Sequence, residues 1–145
     1  MTLNGIVKKL RILVVEDDAT SREVIRRILL EVGTVDAARN GQEAIDLFRA
    51  ALGAGKPYDL ICLDIDIPEI TGHEVLSTVR REEEEFGKEG IFRTKIIMTT
   101  ASNREDDVLG AFMQQCDAYC VKPIRKDVIF ERMEEIGLLK AASLK

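Results

Sequence analysis

Residues 59–68 read Asp59-Leu60-Ile61-Cys62-Leu63-Asp64-Ile65-Asp66-Ile67-Pro68. Four apolar residues in a row, rather than an alternating pattern, are the habit of a parallel strand covered on both faces. The run ends on Asp64, with a second carboxylate, Asp66, two positions later. Working outward, Ile12 to Val15, Ile96-Ile97-Met98 and Ala118-Tyr119-Cys120-Val121 repeat the pattern, and Val35, Ala37 and Ala38 form a weaker version. Between these runs the apolar residues take helical spacing. Val24, Ile25, Ile28, Leu29 and Val32 share one face, as do Ala44, Ile45, Phe48, Ala51 and Leu52. Val75, Leu76 and Val79 mark a third helix, Val108, Leu109 and Phe112 a fourth, and Ile129, Met133 and Ile136 a fifth. Strict alternation predicts an α/β fold of the (βα)5 type, a doubly wound five-stranded parallel sheet in the flavodoxin-like order 2-1-3-4-5.

Four helix starts carry a small polar residue three positions before a glutamate: Thr20…Glu23, Asn40…Glu43, Thr71…Glu74 and Ser102…Glu105. This spacing predicts capping boxes, in which the cap accepts from an orphan N–H and the glutamate reaches back to the cap. Residues 1–9 read as a leader, 10–139 as the domain and 140–145 as a tail. The run Glu82-Glu83-Glu84-Glu85, followed by Gly87 and Gly90, predicts a solvated helix end and a loop.

Composition narrows the functional classes. With 145 residues and 46% apolar content, the chain suits one domain with an ordinary core. No apolar run exceeds four residues, which argues against a membrane span or secretory segment and suggests a cytoplasmic protein. Lys and Arg total 21 against 26 Asp and Glu, a net charge of −5, so no nucleic-acid surface is expected. Cys62, Cys116 and Cys120 are odd in number and lack CxxC spacing, so reduced thiols are expected.

The predicted sheet opens its strand C-termini along one edge, where doubly wound folds bind ligands. Glu16, Asp17 and Asp18 follow the first strand, Asp64 and Asp66 the third, Thr99 and Thr100 the fourth, and Lys122 the fifth. In the order 2-1-3-4-5 the crevice between strands one and three gathers the carboxylates. Two like charges about 4 Å apart repel by roughly 4 kcal/mol at an effective dielectric of 20, so such a cluster calls for a cation. Oxygen ligands suit a hard divalent ion, and a site that retains waters suits Mg²⁺. Such an ion beside an aspartate, with a lysine and a threonine opposite, makes a constellation for phosphoryl chemistry. No Gly-rich nucleotide cradle accompanies it. Helix-start electrostatics accounts for Asp18 alone.

Leu13-Val14-Val15-Glu16-Asp17-Asp18, Asp59 to Pro68, Met98-Thr99-Thr100-Ala101 and Tyr119-Cys120-Val121-Lys122-Pro123 together resemble the response-regulator receiver domain. The likeness covers about residues 10–139 and implies a stand-alone, chemotaxis-type regulator. It also implies that Asp64 is the phosphoacceptor for a histidine kinase or phosphotransfer protein. Asp17 would bind Mg²⁺ directly, Glu16 would act largely through water, and Asp66 would offer its backbone carbonyl. Lys122 would pair with the phosphoryl group, and its bond to Pro123 would be cis. Thr100 would move to the phosphoryl oxygen and Tyr119 would turn inward. That would remake the face of the fourth helix, fifth strand and fifth helix for a downstream protein. External turnover is not implied, only self-phosphorylation and self-dephosphorylation. Ile67 replaces a frequent methionine, and Thr71-Gly72 a frequent Asp-Gly.

Two other readings compete. A haloacid-dehalogenase-type phosphohydrolase also uses a D-x-D motif, with Asp64 as nucleophile and Asp66 as general acid, but there the motif usually follows the first strand. A receiver-like interaction module independent of phosphorylation would not need the full acceptor, metal and lysine set.

Overall fold

The computed structural model describes residues 9–87, 93–101 and 115–140. Five strands, β1 (Leu10–Val15), β2 (Gly33–Ala38), β3 (Leu60–Asp64), β4 (Lys95–Thr100) and β5 (Ala118–Val121), form one sheet in the order β2-β1-β3-β4-β5. Every neighbouring pair is parallel. The described helices are α1 (Ala19–Leu29), α2 (Gly41–Gly53), α3 (Gly72–Glu85) and α4 (Lys126–Glu135). The helix predicted around Val108, Leu109 and Phe112, with its Ser102…Glu105 box, lies outside the described residues.

The apolar runs work as parallel strands because alternate side chains feed two separate cores. Leu13, Val15, Ile61, Leu63, Ile96 and Met98 pack with Phe48 of α2 and Leu76 of α3. Ile12, Val14, Leu60, Cys62, Ile97 and Cys120 point the other way, toward Ile25 and Leu29 of α1 and Ile129 and Met133 of α4. Each fully buried large apolar side chain contributes roughly 1.5–3 kcal/mol. Edge strand β2 has the weakest apolar signature because Thr34, Asp36 and Ala37 are exposed. All three cysteines are free and buried.

The capping expectations are met unevenly. At α3 the reciprocal box is complete: Thr71 Oγ1 accepts from Glu74 N, and Glu74 Oε1 accepts from Thr71 N. At α2, Asn40 Oδ1 accepts from Glu43 N at 2.8 Å, but the Glu43 carboxylate accepts from the backbone and guanidinium of Arg39 instead of from Asn40. At α1 the Thr20…Glu23 expectation is wrong. The helix starts two residues earlier, on Asp18, whose Oδ2 accepts from Ser21 N at 2.8 Å. Glu23 is drawn to Arg26 and Arg27, which hold its carboxyl down at about 2.

The solvated reading of the glutamate run also needs correction. Glu83 is 2% exposed and accepts from Thr94 N at 2.6 Å and Arg80 Nη1 at 2.7 Å. The same guanidinium donates to the carbonyl oxygens of Thr94 and Gln115 and to Asp117, which also accepts from Arg93 and from Ile96 N. Glu82 pairs with Arg49 of α2. The end of α3 is therefore a clamp on the N-terminal ends of β4 and β5.

Candidate functional site

Parallel register brings the polar residues to one level at the opposite edge of the sheet. Val15 lies beside Leu63 and Asp64 beside Thr99, so Glu16 and Asp64 leave neighbouring strands side by side. Glu16 N still donates to Ala38 O, which extends the β1–β2 ladder by one bond. On the far side Ile65 N donates to Thr99 O, and Lys122 N donates to Thr100 O at 2.7 Å. Each functional side chain thus stands at a strand end whose backbone is already fixed.

Oxygens from Glu16, Asp17 and Asp64 lie within 4.8 Å of one another, the first and third buried and Asp17 exposed. Lys122 Nζ sits 2.7 Å from Glu16 Oε1 and 3.1 Å from Asp64 Oδ2. Burial pushes the Glu16 carboxyl up to about 7; Lys122 opposes that shift and Asp64 adds to it. Burial pulls on Lys122 in the opposite sense, but its bonds to Glu16 and Asp64 prevail and hold it above the usual lysine value. Asp64 Oδ1 accepts from Asp66 N at 3.0 Å, which orients the carboxylate from the side away from Lys122. Thr100 is fully buried at the end of β4.

The loops that carry these groups are tightly built. Asp18 N donates to Glu16 Oε2 at 3.3 Å, and Arg22 Nη1 donates to Glu16 O at 3.0 Å and Asp17 O at 3.5 Å. After β3, Glu69 adopts a positive φ of 66°. Gly72 N then donates to Ile65 O, and a methyl group on Gly72 would overlap the Asp64 carbonyl oxygen. Only a glycine there lets α3 start directly against the backbone of Asp64. The Lys122–Pro123 peptide bond is cis.

Three carboxylates and one ammonium in a small volume fit a hard divalent cation. The donors are all oxygen, and a dication would relieve the load on the buried Glu16 carboxyl. Residues 12–134 match the response regulator receiver domain family. The chain belongs to that family. This receiver domain is 33% identical to transcriptional regulatory protein TcrA of Mycobacterium tuberculosis, over 92% of its own length and 48% of the relative's. It is 32% identical to regulatory protein VanRB of Enterococcus faecalis, covering 88% of this chain and 52% of that one. With probable histidine kinase 2 of Oryza sativa it shares 31% identity over 88% of its own length and 13% of the kinase. The chain therefore spans about half of the two regulators and a small part of the kinase.

Among solved structures, response regulator TrrA of Thermotoga maritima, in complex with Mg²⁺ and BeF, is 33% identical with a TM-score of 0.70. The match covers 89% of this chain and 99% of that one. The bacteriophytochrome response regulator AtBRR is 26% identical with a TM-score of 0.74, covering 92% and 96% of the two chains. The receiver domain is a signalling module of two-component systems, and its fold is the one expected from the alternating runs.

The structure brings Glu16, Asp17, Asp64 and Lys122 together. Asp66 is exposed and its carboxylate is outside the acidic cluster, although its backbone is bonded to Asp64. Tyr119 is half-buried, packs against the core under α2 and α3, and lines a groove of about 480 Å³ along β5 and α4. Arg22 was not singled out from the sequence. A signal was present: it is a cation in the first turns of a helix whose first turn has no acidic residue, the wrong sign for the helix dipole. Among the described residues, no helix is long and apolar enough to cross a membrane.

Proposed function

We propose that this receiver domain is a phosphoryl-operated switch with Asp64 as the acceptor. The observation that carries the reading is the seating of the buried Asp64 carboxylate 3.1 Å from Lys122 Nζ, among the oxygens of Glu16 and Asp17. An Asp64 oxygen attacks the phosphorus of a phosphohistidine on a kinase or phosphotransfer protein. A new O–P bond forms as the P–N bond breaks, and its electron pair leaves with the imidazole. Asp17 and Asp64, together with Glu16 and the backbone carbonyl of Asp66, would hold Mg²⁺. When bound, that ion offsets negative charge on the phosphoryl oxygens. The Lys122 ammonium balances charge on the same group from the other side. Asp66 N–H keeps the acceptor carboxylate oriented throughout.

The output follows from the same neighbourhood. Thr100 is one strand away from Asp64, and its hydroxyl bonds the new phosphoryl oxygen. Tyr119, on the neighbouring strand, turns inward as Thr100 moves, and the surface along β5 and α4 is remade for a downstream protein. This is a two-state element biased by a local change of charge. The exposure of Asp66 and its absence from the acidic cluster weigh against a phosphohydrolase that uses it as general acid.

Acetyl phosphate with Mg²⁺ provides the test, read by intact mass. One acid-labile phosphoryl group per chain, lost in Asp64→Asn, is the expected result. Steady release of phosphate from a small ester, dependent on Asp66, would replace this reading with the hydrolase. No uptake from any donor would leave an interaction module.

A further inference from the structure

We propose that Arg22 is a positioning residue for the cation site, holding the turn between β1 and α1 in the shape that aims Asp17 at Glu16 and Asp64. The inference rests on the metal reading above. Asp17 is the exposed member of the acidic trio, whereas Glu16 and Asp64 are both buried and both paired with Lys122. The direction of the Asp17 side chain is therefore set chiefly by the backbone that carries it. That backbone is three residues long between the end of β1 at Val15 and the start of α1 at Ala19.

Three tethers hold this turn. Asp18 caps α1 through Ser21 N, and Asp18 N donates to the Glu16 carboxylate. The third is Arg22, whose Nη1 reaches back from the helix to the carbonyl oxygens of Glu16 and Asp17, at 3.0 and 3.5 Å. It is the tether that acts on the peptide groups either side of the Asp17 Cα. An arginine is suited to this because its planar fork holds a fixed geometry where a lysine would swivel.

The position of this charge supplies a sign that separates positioning from electrostatics. A cation bonded to the backbone of this turn adds positive charge near the acidic trio, so deleting it should leave Mg²⁺ binding equal or tighter if charge were its only effect. If it shapes the turn, deleting it should weaken binding in spite of that gain. Arg22→Met keeps the aliphatic stem and removes the donor and the charge. Arg22→Lys keeps the charge but not the fork.

Mg²⁺ is titrated calorimetrically into the full chain without any phosphoryl donor, with thermal melts of the metal-free variants alongside. Arg22→Met should weaken Mg²⁺ binding by about tenfold, the effect expected when support around a metal ligand is removed. Arg22→Lys should fall between Arg22→Met and the parent, and the metal-free melting temperatures should stay close together. Equal or tighter binding by Arg22→Met would overturn the proposal. Should Arg22→Met not fold, Arg22→Lys decides it, and parental affinity there overturns it as well. Heat absent from the parent chain, as from an Asp17→Ala control, would instead sink the metal reading and this inference with it.

Discussion

At the scale of single residues, the site is a problem in keeping negative oxygens close together. Asp66 adds another carboxylate two positions from the acceptor, on the exposed side. After phosphorylation its charge would oppose an incoming anion or hydroxide, and repulsion of about 1 kcal/mol at contact distance in water corresponds to a few-fold in rate. Asp66→Asn should therefore shorten the phosphoryl lifetime about two- to fivefold, measured as decay of the labelled protein after removal of the donor. An unchanged or longer lifetime would remove Asp66 from the timing of the switch. The carboxylates and Lys122 were legible in the sequence because each ends an apolar run at a strand terminus. Arg22 was harder to see, because its role lies in donating to carbonyl oxygens that carry no sequence signal.

At the scale of elements, the strands were readable because short unbroken apolar runs suit strands covered on both faces, and β2 was faint because Thr34, Asp36 and Ala37 are exposed. The starts of α1, α2 and α3 were readable to within two residues. Asp18 displaced Thr20 as the cap of α1 because a carboxylate at the end of so short a turn reaches Ser21 N first. The glutamate run at the end of α3 defeated a reading from composition: four identical residues differ only in what lies opposite, and Glu83 alone meets Thr94 N. Its removal tests that assignment. Glu83→Ala leaves Thr94 N–H without its buried acceptor, while Arg80 keeps Asp117 and two carbonyl oxygens, and should cost about 1–3 kcal/mol, measured by urea unfolding. Glu83→Gln, which keeps the shape and an acceptor oxygen, should cost less. A loss under about 1 kcal/mol for Glu83→Ala would mean that water replaces the carboxylate.

At the scale of the whole molecule, the acidic cluster ties stability to pH and to metal. The Glu16 carboxyl lies at about 7 in the folded chain, above its ordinary value of 4.5. A raised carboxyl pKa means that the folded state holds the proton more tightly than the unfolded one. Its contribution is fully present below about pH 4.5 and is lost as pH rises through about 7. Metal-free protein should accordingly melt lower at about pH 8 than at about pH 5.5, and Glu16→Gln should flatten that slope. Mg²⁺ should recover stability at the higher pH, because it binds the folded chain and prefers the ionised carboxylates. A pH slope unchanged in Glu16→Gln would place the titrating group elsewhere.

The clamp built from Arg80, Glu83 and Asp117 grips β4 and β5 where they begin, and the carboxylates gather where the sheet ends, with the six residues of β4 between. At about 3.3 Å per residue that is close to 20 Å, beyond the range at which substitutions usually couple. The grip at one end of the sheet and the ion site at the other are therefore set by separate groups of residues. A weakened clamp combined with a weakened cation site should give the plain sum of the two losses in metal-free stability, so the clamp can be altered without changing how tightly the ion is held.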